Sequence, residues 1–249
     1  YDNSACLWGM AEPKLEQYLV GHEYSVVVVV FVSDDLFSAG YDSVIHVWGR
    51  DGAKKRSMPS EEIHGTMTAF AAAETQALVG FDGGALVPLD LATGEWGLPF
   101  DGHKYSVSDV DWSPDGKFVA TTGWDGVMRI FNPDGAVIFA DKTPHAEGLE
   151  MVDFLSSDVV LVADGSATLQ ARSAADGKPL WSVPMGEEGW IGCLAGAPDG
   201  KTFAMFCSEG LTFRDAATGA TIFSVNTPDS IGSMAFTPDG KRLATGLLD

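Results

Sequence analysis

The stretch Gly102–Phe131, GHKYSVSDVDWSPDGKFVATTGWDGVMRIF, decides the fold. It opens on Gly102-His103 and continues into a strand pattern carrying Val107, Val110 and Trp112. Ser113-Pro114-Asp115-Gly116 follows, a turn in which Pro presets φ and Gly accepts a positive φ. Phe118–Thr122 reads as a second strand, Trp124-Asp125-Gly126 as a second turn and Val127–Phe131 as a third strand. Asn132–Gly135 turns the chain once more before a fourth strand, Ala136–Ala140. No helical period of useful length competes with this reading.

The same pattern recurs along the chain. The acid after the second strand falls at Asp2, Asp42, Asp82, Asp125, Asp164, Glu209 and Asp249, with gaps of 40, 40, 43, 39, 45 and 40 residues. His22, His64, His103 and His145 keep a similar spacing of 42, 39 and 42. The turns Ser113–Gly116, Ala197–Gly200 and Thr237–Gly240 hold the same phase. Three registers at one period mark a repeat architecture, here one four-stranded antiparallel sheet per repeat.

Bulk composition excludes several classes. The chain has 249 residues and 45% hydrophobic residues, enough for a large core. Its 15 basic against 35 acidic residues give −20, which argues against binding a phosphate backbone. The longest apolar run, Val26–Val32, is far short of the ~18 residues a membrane helix needs and suits a buried strand, so no membrane insertion is expected. No charged segment followed by an apolar stretch suggests a signal peptide. The sequence leaves the compartment open, with a soluble, cytoplasmic protein slightly preferred. Cys6, Cys193 and Cys207 lack metal-site spacing and read as small buried apolar residues.

Gly-His, then Pro-Asp-Gly, then Gly-x-Asp, then a strand ending in Trp or Phe, resembles the WD-repeat β-propeller family. The resemblance covers essentially the whole chain and is strongest over Gly21–Trp48 and Gly102–Phe131. It implies an all-β propeller of four-stranded antiparallel blades. Six blades are counted, with the last shared between residues 1–20 and 226–249 of a single domain spanning 1–249. Asp2–Trp8 would then pair with Lys241–Gly246. The alternative is a fragment of a seven-bladed propeller.

The resemblance also implies a hydrogen-bonded set of His, Ser or Thr, Asp and Trp within each blade. Residues His22, Ser38, Asp42 and Trp48 supply the full set, and His103, Thr121 and Asp125 supply three members with Phe131 in place of Trp. Phe has no indole N–H to donate, so that set is shortened. Around Asp82 only His64 and Asp82 match.

The candidate chemistry is sparse. Four of the five histidines sit on the repeat register and His46 stands alone on a strand, so no converging metal ligands are expected. The Asp-Gly pairs lack the ligand series of a calcium loop. Asp90–Gly94, Ala175–Trp181 and Asp215–Gly219 loosely resemble the docking motif of quinone-cofactor propeller dehydrogenases, which implies an oxidoreductase as the alternative function. The same segments also read as ordinary turns, and no cofactor is expected.

Aromatic residues are more informative. Tyr1, Tyr41, Phe81 and Trp124 each precede a turn acid, and Tyr24 and Tyr105 lie in the loops after Gly-His. In the family these loops open on one face around the central channel. Tyr24, Tyr41, Phe81, Tyr105 and Trp124 are therefore the candidate partner-binding residues, since Tyr and Trp dominate binding hot spots. The expected function is a non-catalytic platform for a protein or peptide, with Lys or Arg on the partner to match the acidic chain. A purely structural domain without a ligand is the remaining alternative.

Overall fold

A computed structural model describes residues 4–9, 14–60, 65–142, 148–165, 168–185, 189–227, 230–237 and 239–248, without the side chains of 4–9, 14–17, 142 and 246–248. Tyr1, Asp2, His64, His145, Asp249 and the side chains of Cys6 and Trp8 thus lie outside the described residues. The chain divides into two compact units, Tyr1–Val107 and Ser108–Asp249. All regular structure among the described residues is β, and no helix is long and apolar enough to cross a membrane.

The first unit holds a two-stranded sheet of β1 (Ser4–Gly9) and β2 (Lys14–Val20). A four-stranded sheet follows: β3 (Val26–Val32), β4 (Asp35–Gly40), β5 (Val44–Trp48) and β6 (Lys54–Pro59). Next is a three-stranded sheet of β7 (Met67–Ala72), β8 (Gln76–Phe81) and β9 (Leu86–Asp90). Its expected fourth strand is absent. Pro88 has no N–H to offer the ladder, and the chain beyond β9 makes a single bridge at Trp96, with bonds from Asp90 N to Glu95 O (3.0 Å) and Gly97 N to Pro88 O (2.8 Å), and one from Phe100 N to Leu86 O (2.8 Å).

Ser108–Asp249 holds three four-stranded sheets, the first of which begins at the unit boundary. They are β10 (Val107–Trp112) to β11 (Val119–Gly123), β12 (Val127–Phe131) and β13 (Val137–Lys142); β14 (Leu149–Ser156) to β15 (Val159–Asp164), β16 (Thr168–Ser173) and β17 (Pro179–Pro184); and β18 (Ile191–Gly196) to β19 (Thr202–Cys207), β20 (Gly210–Asp215) and β21 (Thr221–Val225). The unit ends on β22 (Ser230–Phe236) paired with β23 (Leu243–Leu248). Consecutive strands pair antiparallel in order, as short connections require.

Turn chemistry sets these boundaries. Gly116, Gly200 and Gly240 all have positive φ (67°, 64° and 66°) and each donates its N–H to the residue three before it. In all three turns the Asp side chain accepts the following Lys N–H. The core lies between sheets. Phe37, Val47, Phe70, Val79 and Leu89 share one cluster in the first unit, and Leu161, Ala171, Phe203 and Met205 share one in the second. Val26–Val32 differs from the buried strand expected of it. Val28, Val30 and Val32 pack on the core, while Val29 and Phe31 are exposed on the other face. Cys193 and Cys207 are buried free thiols.

Candidate functional site

The β3–β6 sheet carries a continuous polar chain through its interior. Trp48 Nε1 donates to Ser38 Oγ at 2.9 Å, and Ser38 Oγ lies 2.7 Å from His22 Nε2. His22 Nδ1 sits 3.0 Å from both carboxylate oxygens of Asp42, which also accepts the backbone N–H groups of Glu23 (2.9 Å) and Val44 (3.2 Å). The carboxylate fixes the tautomer: Nδ1 carries the proton, so Nε2 accepts from the Ser38 hydroxyl. Burial alone would raise the Asp42 carboxyl. The Glu23 donor and the His22 contact outweigh it and hold Asp42 below its ordinary value.

His46 does not stand alone. Its ring lies 4.4 Å from that of His22, with Nε2 2.9 Å from Gly21 O and Nδ1 2.9 Å from Ser57 Oγ. The carbonyl requires a proton on Nε2, so Nδ1 accepts from Ser57. Burial, with help from His22 and Lys54, lowers the His46 pKa. His22, Asp42 and His46 could present three ligand atoms within 4.8 Å. As folded, all four ring nitrogens already hold protein partners, so a cation would have to displace them.

Strand register shows what replaces this set elsewhere. Trp48 pairs with Leu36, and the matching stations hold Phe131 opposite Val119, Arg172 opposite Val160 and Arg214 opposite Phe203. Arg129 takes the His46 station and pairs with Asp125 at 3.2 Å. Arg172 and Arg214 are both buried. Each donates to the carbonyl of a glycine five residues on, Gly177 (3.0 Å) and Gly219 (3.1 Å), and to the side chain two residues back, Gln170 (3.1 Å) and Thr212 (3.2 Å). Sequence reasoning missed both arginines. The signal was present as Arg two residues after Gln or Thr and five before Gly.

The segments that resembled a cofactor-docking motif open on turns that follow third strands, and each is a seat for the preceding sheet. Arg56 of β6 donates to Leu91 O and Ala92 O. Trp181 of β17 donates from Nε1 to Ala216 O at 2.9 Å and covers Gly219, where a Cβ would lie 2.7 Å from its ring. Phe139 of β13 covers Gly177 in the same way, at 2.3 Å. Gly177 and Gly219 therefore need both positive φ and an absent side chain. Register places Arg56, Phe139, Trp181 and Phe223 at one station.

Among the aromatic candidates, Tyr24, Tyr41 and Tyr105 of the first unit are exposed, and Trp124 of the second is 66% exposed. Phe81 is not: it is 0% exposed, lies in the core of its unit and packs on Trp96. The reason is register. Its turn closes from Gly84 N to Phe81 O, as Ser43 N to Gly40 O and Gly126 N to Gly123 O close theirs. Phe81 thus stands at the Gly40 and Gly123 station, and Asp82 takes the exposed station of Tyr41 and Trp124. The acid-based spacing was one residue out there. Trp190, exposed beside β18 with its ring 5.1 Å from Phe206, was missed because no turn acid follows it. His103 and Thr121 are buried.

Repeated antiparallel sheets, shared polar stations and seated turns define a repeat β-propeller. Comparison with known proteins agrees. Residues 96–132 match the family model for the WD domain, G-beta repeat. A WD repeat-containing protein of Synechocystis is 31% identical over 48% of this chain and 36% of its own length. The serine-threonine kinase receptor-associated protein of Gallus gallus is 24% identical over 58% and 41%. The periodic tryptophan protein 2 homolog of Dictyostelium discoideum is 28% identical over 43% and 12%. The chain therefore spans less than half the length of these relatives. A chain in the crystal structure of a mitotic checkpoint complex superposes with a TM-score of 0.85, at 16% identity, over 98% of this chain and 78% of its own. Residues 96–132 thus carry a WD repeat, and the chain as a whole has the fold of a repeat β-propeller similar to the WD-repeat family.

Proposed function

We propose that the chain is a non-catalytic interaction platform that binds a protein or peptide through exposed aromatic loops, those carrying Tyr24, Tyr41 and Tyr105 in the first unit and that carrying Trp124 in the second. The observation that carries this is the exposure of all four rings, two of them, Tyr41 and Trp124, on turns closed by backbone hydrogen bonds. Exposed Tyr and Trp on a fixed scaffold cost little conformational entropy to engage, which is why hot spots favour them. The net charge of −20 and the exposed acids Glu23, Asp82 and Asp101 favour a partner bearing Lys or Arg. The relative named for a receptor association supports a protein partner. The seats at Leu91–Gly94 and Ala216–Gly219 act as structural turns, so they add no argument for a quinone.

The test uses a peptide selected from a random display library on the immobilised chain. Trp124→Ala should weaken it by ~2 kcal/mol or more, about 30-fold, with little change in melting temperature. Leu98→Ala, at an 87% exposed position outside these loops, should leave binding unchanged. Raising salt should slow association. Selected peptides that bind equally to the Trp124, Tyr41 and Tyr105 alanine variants would refute the reading.

A further inference from the structure

Strands β10, β14 and β18 are each the first strand of their sheet, so one backbone edge of each lacks a pairing strand. Acidic side chains meet that need. Val152 N–H donates to Asp109 Oδ2 at 3.0 Å, and Phe154 N–H donates to Asp111 Oδ2 at 2.7 Å. Gly196 N–H donates to Asp153. Asp109 and Asp111 are two residues apart, as are Val152 and Phe154, so both bonds form on one side of each strand. The second oxygens of Asp109 and Asp111 accept from Val110 and Trp112, both at 2.9 Å. The carboxylates thus tie three successive sheets through their first strands.

This geometry gathers three acids with no cation among them. The charges acting on Asp111 are those of Asp153 and Asp109, and the charge acting on Asp153 is that of Asp109. Strand β18 brings no charged residue, only the Cys193 thiol, whose Sγ lies 3.6 Å from Ile231 O. β11 and β22 bring no ionisable group. β15 brings only Asp164, at its far end, and β14 adds the exposed Glu150. Among the described residues, Asp153 Oδ2 is buried and has no hydrogen-bond partner. A buried carboxylate oxygen without a donor, beside two other carboxylates, gains most by taking up a proton.

We propose that Asp109, Asp111 and Asp153 form a proton-loaded tie across β10, β14 and β18, which holds at least one proton at neutral pH and loosens when that proton is lost. Burial pushes Asp109 up to about 7. Burial and then the Asp109 charge bring Asp153 to about 7, and burial and then the Asp153 charge raise Asp111 well above the ordinary carboxylate range. The sign follows from linkage. Each folded value lies above the unfolded value of about 4, so the folded state binds more protons. The stability from this tie is fully present below about pH 4 and is lost as pH rises through about 7.

Carboxyl carbon NMR of the whole wild-type chain should show at least one Asp signal titrating near pH 7, and that signal should vanish or shift in Asp153→Asn. Urea unfolding from pH 5 to 8.5 should show the wild-type folded-to-unfolded ratio falling by at least about tenfold, and Asp153→Asn should shrink that fall. If Asp153→Asn fails to fold, Asp109→Asn takes its place and the wild-type titration decides alone. Asp signals that all titrate below pH 5, or a variant whose pH profile parallels the wild type's, would overturn the proposal.

Discussion

Ser38→Ala removes one oxygen from the middle of the polar chain in the β3–β6 sheet. Ser38 is 0% exposed, and its Oγ serves both Trp48 Nε1 at 2.9 Å and His22 Nε2 at 2.7 Å. Alanine leaves a buried indole N–H and a buried imidazole nitrogen without partners. Leaving a buried polar group unsatisfied costs roughly 1–3 kcal/mol, so the variant should lose about 2–5 kcal/mol. The space vacated by one hydroxyl is too small to admit a bridging water. That loss is a large part of the ~5–15 kcal/mol by which a domain is stable. Trp48→Phe removes the same donor from the other side. In the Ser38→Ala background that donor is already orphaned, so the two changes should cost less together than the sum of each alone, by roughly 1 kcal/mol. Urea unfolding followed by far-ultraviolet circular dichroism and by tryptophan fluorescence measures both quantities, and coincident curves establish that one transition is being compared. A Ser38→Ala loss below ~0.5 kcal/mol, or strict additivity of the pair, would show that the chain of bonds carries no stability.

Two substitutions test the other recurring devices. Gly219 and Gly116 share a positive φ (72° and 67°), but a Cβ at Gly219 would meet Trp181 at 2.7 Å while one at Gly116 meets nothing within 4 Å. Both alanine variants should lose ~1 kcal/mol to backbone strain, and Gly219→Ala should lose a further ~1–3 kcal/mol because Trp181 must move; equal melting temperatures would deny the seat. Arg214→Met should cost about 2–4 kcal/mol through the lost bonds to Gly219 O, Thr212 and Glu209. A melting temperature within 1 °C of the wild type's would show the buried arginine to be replaceable by volume alone, given that ~1 kcal/mol moves a chain of this size by a few degrees.

Much of the fold was legible because turns are local. Ser113-Pro114-Asp115-Gly116 and its two counterparts encode their own geometry, and a fixed interval between them yields the repeat. The hydrogen-bonded set of His22, Ser38, Asp42 and Trp48 was legible because four uncommon residue types stood at matching offsets. Phe81 was not, because its turn is shifted by one residue. A single-residue slip changes which side chain leaves the sheet, so an aromatic assigned to the surface became core. The acids of β10 gave no signal of their role. Nothing in the local pattern sets Asp109 and Asp111 apart from acids on the solvent face of a strand. In the structure they lie between sheets and bond the backbone of β14.

The replaced stations carry the wider argument. A reader who looks for Trp finds the motif intact in one sheet and eroding through the others. Register shows otherwise: Trp48, Phe131, Arg172 and Arg214 occupy one place. Trp48 meets it with one donor and a large ring. Phe131 meets it with a fully buried ring that has no indole N–H to donate. The arginines meet it with several donors, aimed at a turn carbonyl and a neighbouring side chain. A planar guanidinium on a long apolar stem can fill such a space and place most of its donors, although Arg172 Nε is buried without a partner among the described residues. What the repeat preserves is a buried volume beside polar groups that need partners, and several chemistries meet that demand. Residue identity alone registers these as losses, because the demand is set by the neighbouring turn and strand. That is why the strong repeats were readable from sequence and the weak ones became readable only through their pairing.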